Sequence, residues 1–306
     1  MAILINKSTR VLVQGITGKE GARATKEMKE YGTTVVAGVT PGKGGQIVEG
    51  VPVFDSVAEA IEKFPEINTA LVTVPASFVL DAVLESIHAR IPLINILSEK
   101  VPVRDIATMI AFARQYGVQI IGPSSVGILS PSIGKIGSIG GGPELIHKVF
   151  TPGPVGLVSK SGGMTAEISY TLTKAGLGQS TVIGIGGDVL IGSDFVDIAL
   201  QFEKDPETKV IVVFGEVGGT YEEQFAAAMR DHRITKPVVA LIAGKFAENL
   251  PQDTVLGHAG AIVAKGRGSA SGKIKALHDA GALIAEIVDD LPGLVTQALK
   301  QENKKS

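Results

Sequence analysis

The 306-residue chain has no cysteine. Disulfides, thiolate nucleophiles and Cys-ligated metals are therefore excluded, and no metal site is expected. No charge of either sign predominates. Lys and Arg number 29 against 31 Asp and Glu, a formal net charge of −2. That leaves no basic excess for nucleic acid and no charge block for a membrane surface. No apolar run approaches the roughly 20 residues that span a bilayer. The opening MAILINKSTRVLVQG lacks the ordered charged, apolar and cleavage regions of a signal peptide. A soluble, cytoplasmic protein with no nucleic-acid or membrane partner is expected. A G-x-x-x-x-G-K-S/T nucleotide loop is missing too. The nearest stretch, RGSASGKI (267–274), has Arg267 at the first glycine and Ile274 at the Ser/Thr.

Glycine is plentiful, at 38 residues. Much of it directly follows apolar runs, where α/β proteins place phosphate-binding turns. The length suits two α/β domains with buried cores. Short Val/Ile/Leu runs at 11–16, 34–39, 69–74, 92–97 and 118–123 alternate with helical patterns, among them 55–64, 78–89 and 104–116. Ser56 is placed to cap the helix at 55–64, with Glu59 completing a capping box. Unbroken apolar strands spaced by helices imply a parallel sheet covered on both faces. A Gly/Pro/Ser-rich stretch follows, and the pattern restarts with strands at 155–159, 181–186, 209–216, 237–244 and 282–288. The expected organisation is a first domain over 1–125, a connection over 126–150 and a second domain over 151–306.

Three glycine-bearing turns carry candidate chemistry. GITGKEG places Gly15, Gly18 and Gly21 between strand and helix, a geometry that suits a phosphate on backbone N–H groups. A tight turn needing glycine only for packing is the alternative. The spacing is G-x-x-G-x-x-G and not G-x-G-x-x-G. The next strand runs into GVTPGKGGQ (38–46) with no acidic residue for ribose hydroxyls. Lys43 there fits a ribose that carries a phosphate, as in NADP and coenzyme A. The second turn, VSKSGGM (158–164), would present free N–H groups beside the Ser161 hydroxyl; Ser161 also serves as a plain helix cap. In the third, FGEVGGT (214–220), Glu216 ends a strand where α/β folds bind ligands.

Histidine is scarce, five residues in all, and His258 alone sits in a bulk-free run, GHAGA. On the expected topology His258 shares a rim with Ser161 and Glu216. A carboxylate on one imidazole nitrogen fixes the tautomer and frees the other as a nucleophile. The small neighbours leave room for a phosphoryl group. The alternative is a histidine merely packed in a glycine loop.

Over residues 1–295 the chain resembles the α subunits of succinyl-CoA synthetase. QGITGKEG, VTPGKGGQ, GVPVFDSVAEA, VSKSG, GIGGD, GEVGG and GHAGAI carry the resemblance, in order. It implies a Rossmann-like CoA-binding domain followed by a flavodoxin-like α/β ligase domain. It also implies that His258 is phosphorylated, with Glu216 as its partner. Ser161, Gly162 and Gly163 would hold the phosphate. Thr17, Gly18, Lys19, Glu20, Lys43, Pro75, Ser77, Asn95 and Glu99 match the family's CoA-binding segments. CoA is then a substrate, ATP or GTP with Mg2+ belongs to an ATP-grasp β subunit, and the acid is a small di- or tricarboxylate. KIGSIGG (135–141), SKSGGM (159–164) and GEVGGTYEE (215–223) are closer to ATP-citrate lyase and citryl-CoA synthetase. Succinate is ranked ahead of citrate as the acid. A non-catalytic CoA- or nucleotide-binding regulatory module is the alternative from another class. An NADP-linked oxidoreductase is the poorest fit, because the glycine spacing is wrong and a catalytic pair for nicotinamide is missing.

Overall fold

Apolar strands buried on both faces assemble into two seven-stranded sheets in the computed structural model, which describes residues 2–249, 258, 260 and 268–302. The first contains β1 (Arg10–Gln14), β2 (Thr34–Val39), β3 (Ile47–Val48), β4 (Val51–Phe54), β5 (Thr69–Val72), β6 (Leu93–Ile96) and β7 (Gln119–Ile121), in spatial order β3-β4-β2-β1-β5-β6-β7. Only β3 runs antiparallel to its neighbour. Without it, the six parallel strands counted along the chain lie in the order 3-2-1-4-5-6, the Rossmann arrangement. Helices α1 (Lys19–Glu30), α2 (Val57–Lys63), α3 (Val79–His88) and α4 (Val103–Tyr116) make the crossovers.

The second sheet contains β8 (Gly127–Ser130), β9 (Gly134–Gly137), β10 (Pro152–Ser159), β11 (Gln179–Gly184), β12 (Val210–Glu216), β13 (Val238–Ala243) and β14 (Leu283–Ala285). Its order is β14-β13-β12-β10-β11-β8-β9. The five parallel strands β10 to β14 read 2-1-3-4-5 from one edge, the flavodoxin order. Helices α5 (Pro143–Val149), α6 (Gly162–Lys174), α7 (Phe195–Lys204), α8 (Tyr221–Arg230), α9 (Ala270–Asp279) and α10 (Leu291–Glu302) complete this half. Among the described residues, no helix is long and apolar enough to cross a membrane.

Residues 126–150 are not a plain connection. β8 and β9 form a hairpin antiparallel to the β11 edge, with Ile128, Leu129 and Ile136 fully buried. Burial of each such side chain contributes about 1.5–3 kcal/mol, enough to hold a glycine-rich ribbon in place. Local caps follow the sequence closely. Ser56 Oγ accepts from the Glu59 N–H at 3.2 Å, while the Glu59 carboxylate reaches one residue further than a capping box, to the Asp55 N–H.

The hairpin ties the two sheets together. Lys135 is fully buried, and its Nζ donates to Glu27 Oε2 of α1 at 3.2 Å and to the Gly141 carbonyl at 3.0 Å. Thr33 Oγ1 both donates to the Lys135 carbonyl and accepts from its N–H. Burial pulls the Lys135 ammonium below the ordinary lysine range, against the opposing pull of Glu27. The helix that follows the first glycine turn is thereby fixed to the second sheet.

Both sheets reverse strand order once, and open α/β sheets leave a crevice at that point, outside the carboxyl ends of the strands. In the first sheet the crevice lies between β1 and β5. In the second it lies between β10 and β12, which end at Ser159 and Glu216.

Candidate active site

At the second crevice, β10 leads through Lys160 and Ser161 directly into α6. Ser161 is the N-cap, its Oγ accepting from the Met164 N–H at 3.4 Å. The first N–H groups of α6 lack intrahelical partners, and the helix dipole favours an anion before them. A Cβ on Gly162 would come within 2.2 Å of Val126, whereas one on Gly163 would meet nothing within 4 Å. Packing therefore requires the first glycine and not the second.

Across the crevice, Glu216 Oε2 lies 2.6 Å from His258 Nδ1. The carboxylate side chain is 12% exposed and the imidazole 36%. Nδ1–H donating to Glu216 assigns the proton to Nδ1 and leaves the Nε2 lone pair free. The hydrogen bond to Glu216 holds the imidazole above its ordinary proton affinity, while burial and Lys160 work against it. The ring rests on the loop after β11: a Cβ on Gly187 would lie 2.6 Å from His258 Cγ. The Gly260 N–H donates to the Gly187 carbonyl at 2.9 Å. Gly257, Ala259 and Ala261, the other small residues around His258 in the sequence, lie outside the described residues.

The sequence reading missed the framework beneath this pair. The Glu216 N–H donates to Glu222 Oε1 at 3.1 Å, and its carbonyl accepts from Lys273 Nζ at 2.8 Å. Lys273 also bonds the Gly218 carbonyl and Glu222 Oε2, and both side chains of this ion pair are fully buried. Lys160, 2% exposed, faces Glu216 Oε1 at 3.5 Å. Asp188, beside Gly187, accepts from Ser124 Oγ at 3.0 Å, and burial raises its carboxyl above the usual range. Lys160 adjoins the recognised serine turn, which was a usable signal. Lys273 and Glu222 had none, since their pairing spans 51 residues.

At the first crevice a cleft of ≈ 680 Å³ is lined by Gly15, Thr17, Gly18, Thr40, Pro75 and Phe78, among others. Three predicted CoA residues, Thr17, Gly18 and Pro75, thus meet there. Gly18 is the N-cap of α1 and makes no side-chain cap bond. Gly21 has a packing duty, since a Cβ there would fall 2.3 Å from the Gly15 carbonyl oxygen. Lys19 and Glu20 open α1, and Glu20 pairs with Arg23 at 2.5 Å. Lys43 is exposed on a loop braced by the Gly44 N–H to Asp55 Oδ1 at 2.8 Å. Ser77 is exposed in the single turn before α3. A groove of ≈ 360 Å³, which shares Thr73 with the cleft, holds Glu20, Glu99 and Ser124. Ser124 in that groove donates to Asp188, the neighbour of Gly187 beneath the imidazole, so the groove leads towards His258. Asn95 stands apart from these residues. Its side chain is wholly buried, its amide donating to Ser125 Oγ at 2.8 Å and to the Ile121 carbonyl at 3.2 Å. It braces the β6–β7 crossing and does not face the cleft.

Comparison with known proteins places this geometry. A CoA binding domain matches residues 6–100 and a CoA-ligase domain residues 158–283. The ADP-forming succinate–CoA ligase subunit alpha 2 of Archaeoglobus fulgidus is 46% identical over 299 residues, 98% of this chain and 100% of that protein. The corresponding subunit of Aquifex aeolicus is 45% identical over 302 residues, 98% of this chain and 95% of that one. Among solved structures, the Methanosaeta concilii ATP citrate lyase bound to (3S)-citryl-CoA superposes with a TM-score of 0.91 at 28% identity. That match covers 98% of this chain and 51% of the lyase, so this chain spans about half the lyase's length.

The 2.6 Å contact yields a prediction. Glu216→Gln removes the charge that stabilises the protonated ring, so the titration midpoint of His258 should move to lower pH. Imidazole NMR of the folded variant measures it, and an unmoved midpoint would mean that Glu216 does not control this proton.

Proposed function

The chain belongs to the succinate–CoA ligase α-subunit family, and we propose that it turns over a dicarboxylate, CoA and a nucleoside triphosphate through phosphorylated His258. The carrying observation is the Glu216–His258 contact with Nε2 left free, opposite the N-terminus of α6.

The family resemblance implies three steps, to which the residues are assigned here. In the first, the Nε2 lone pair attacks the terminal phosphorus of the triphosphate. The N–P bond forms, the P–O bond breaks, and the nucleoside diphosphate leaves with its electron pair. The ring gains positive charge, which the Glu216 carboxylate on Nδ1–H offsets. In the second, a substrate carboxylate oxygen takes the phosphoryl group, giving an acyl phosphate and restoring Nε2. In the third, the CoA thiol sulfur attacks the acyl carbon, its proton passes to solvent, and inorganic phosphate leaves. Ser161 Oγ and the N–H groups of Gly162 and Gly163 offer the phosphoryl oxygens donors that water need not supply.

CoA would lie in the first cleft with its thiol end in the groove past Glu99. Thr17, Gly18, Lys19 and Glu20 form the backbone cradle, Lys43 meets the ribose phosphate, and Pro75 and Ser77 flank the ligand. The first domain, 1–125, would bind CoA. The second, 151–306, would carry the ligase chemistry, with the hairpin before it as its edge. The triphosphate and its Mg2+ would be supplied by an ATP-grasp β subunit, since the sequence contains no nucleotide loop of its own. The intact His258–Glu216–Ser161 set disfavours a purely regulatory module. Succinate is the favoured acid because both close relatives are succinate enzymes. Citrate is the second reading, supported by the likeness to the citrate lyase and by the open space at Gly163.

Three outcomes test this. Incubated with ATP and the β subunit, the chain should gain an acid-labile phosphate seen by intact mass, and His258→Asn should gain none. Label persisting in that variant would sink the mechanism. Lys43→Ala should weaken CoA more than dephospho-CoA, by about 1–3 kcal/mol for a charge-assisted contact, as read by calorimetry; equal losses would exclude a phosphate contact. The ratio of kcat/KM for succinate and citrate in the reconstituted enzyme should favour succinate. A citrate value about tenfold higher, ~1.4 kcal/mol of transition-state preference, would make this a citryl-CoA synthetase subunit.

A further inference from the structure

Glu216 has two carboxylate oxygens, and the chemistry above uses one. Oε2 holds His258 Nδ1 at 2.6 Å. Oε1 is buried and makes no hydrogen bond. What it does face is Lys160 Nζ at 3.5 Å, a charge contact longer than a good hydrogen bond. Lys160 is held rigidly. Its N–H donates to the Phe214 carbonyl at 3.2 Å, its side chain is buried, and its ammonium lies 5.8 Å from the Tyr221 ring centroid. Burying an ammonium costs far more than burying a methionine of similar volume. A cation kept in this slot therefore has an electrostatic task.

We infer that Lys160 is a positioning residue that acts on His258 through Glu216. Its ammonium engages the far oxygen of the carboxylate, so Glu216 can hold the Nδ1 proton without drawing a second proton onto Nε2. The inference rests on the phosphohistidine reading. An imidazolium has no lone pair to form the N–P bond, so the fraction of neutral ring sets the rate of phosphoryl transfer. Among the described residues, four charged groups act on the ring. Glu216 at the end of β12 and Glu99 after β6 favour its protonation, and Lys160 after β10 opposes it. Asp188 after β11 faces His258 as well. Of these, Lys160 alone is cationic. Lys273 of α9 touches the Glu216 carbonyl and not its carboxylate, so it leaves this balance to Lys160.

The test is the pH profile of His258 phosphorylation by γ-labelled ATP in the reconstituted complex, from about pH 5.5 to about pH 9. Wild type is compared with K160R, K160M and K160Q. Removing the charge should move the acid midpoint upward by about one pH unit, which cuts labelling about tenfold on the acid side and leaves it within about twofold at the alkaline end. K160R should keep the wild-type midpoint. A uniform loss at every pH in K160M and K160Q, or an unmoved midpoint, would make Lys160 a structural residue only. Should both neutral variants fail to fold by circular dichroism, K160R decides: a retained midpoint supports the charge role and a displaced one overturns it. Wild-type protein that takes no label would instead refute the phosphohistidine itself.

Discussion

The structure depends on where one carboxylate is held. Glu216 must meet an imidazole that arrives from 42 residues further along the chain, and a 2.6 Å contact tolerates little drift in either partner. The strand end is therefore pinned through its backbone. Glu222 takes the Glu216 N–H while Lys273 takes the carbonyl, and the two side chains neutralise each other out of water. A buried pair of this kind adds little net stability. Removing one member alone costs about 3–5 kcal/mol, because the other charge is stranded. Its value is geometric: α8 and α9 cannot shift against β12 without breaking it.

The second constraint is that two ligand crevices on two sheets must serve one reaction. Each crevice arises where strand order reverses, so each is fixed within its own sheet. Their mutual position is not fixed by either topology. The Lys135 hairpin supplies that link by joining α1, whose N-terminus borders the first cleft, to the edge of the second sheet. Ser124 and Asp188 add another tie nearer the imidazole. A thiol carried by a long flexible ligand tolerates an error of a few ångströms at its anchored end.

Much of this was legible in the sequence. Apolar runs alternating with helical patterns implied parallel sheets covered on both faces, and the helices expected at 55–64, 78–89 and 104–116 stand as α2, α3 and α4, whereas the strand orders are visible only in the fold. His258 and Glu216 were legible because each departs from its surroundings: a histidine among glycine and alanine, a carboxylate closing an apolar strand. The hairpin of β8 and β9 was hidden because glycine and serine in IGKIGSIGG read as a loop when pairing partners are unseen. Asn95 was matched to a CoA-binding segment through the family resemblance, and only the fold reveals that its amide N–H groups go to Ser125 and Ile121 inside the protein. Lys273 and Glu222 are ordinary helix-surface types in a linear reading, and their burial is a property of the assembled sheet.

The charges around His258 bear on both states of the ring that the proposed chemistry requires. Before transfer the ring needs a neutral Nε2. On the phosphohistidine reading proposed above, the phosphorylated ring would carry a dianionic group beside Glu216, Glu99 and Asp188, which would repel it. Lys160 and the first turn of α6 are the opposing positive features. A stronger cation in that crevice would hold the phosphoryl group too tightly to pass it on. A weaker one would leave the ring protonated and idle. A single lysine acting at one remove, through the carboxylate and not on the phosphate, lies between those limits.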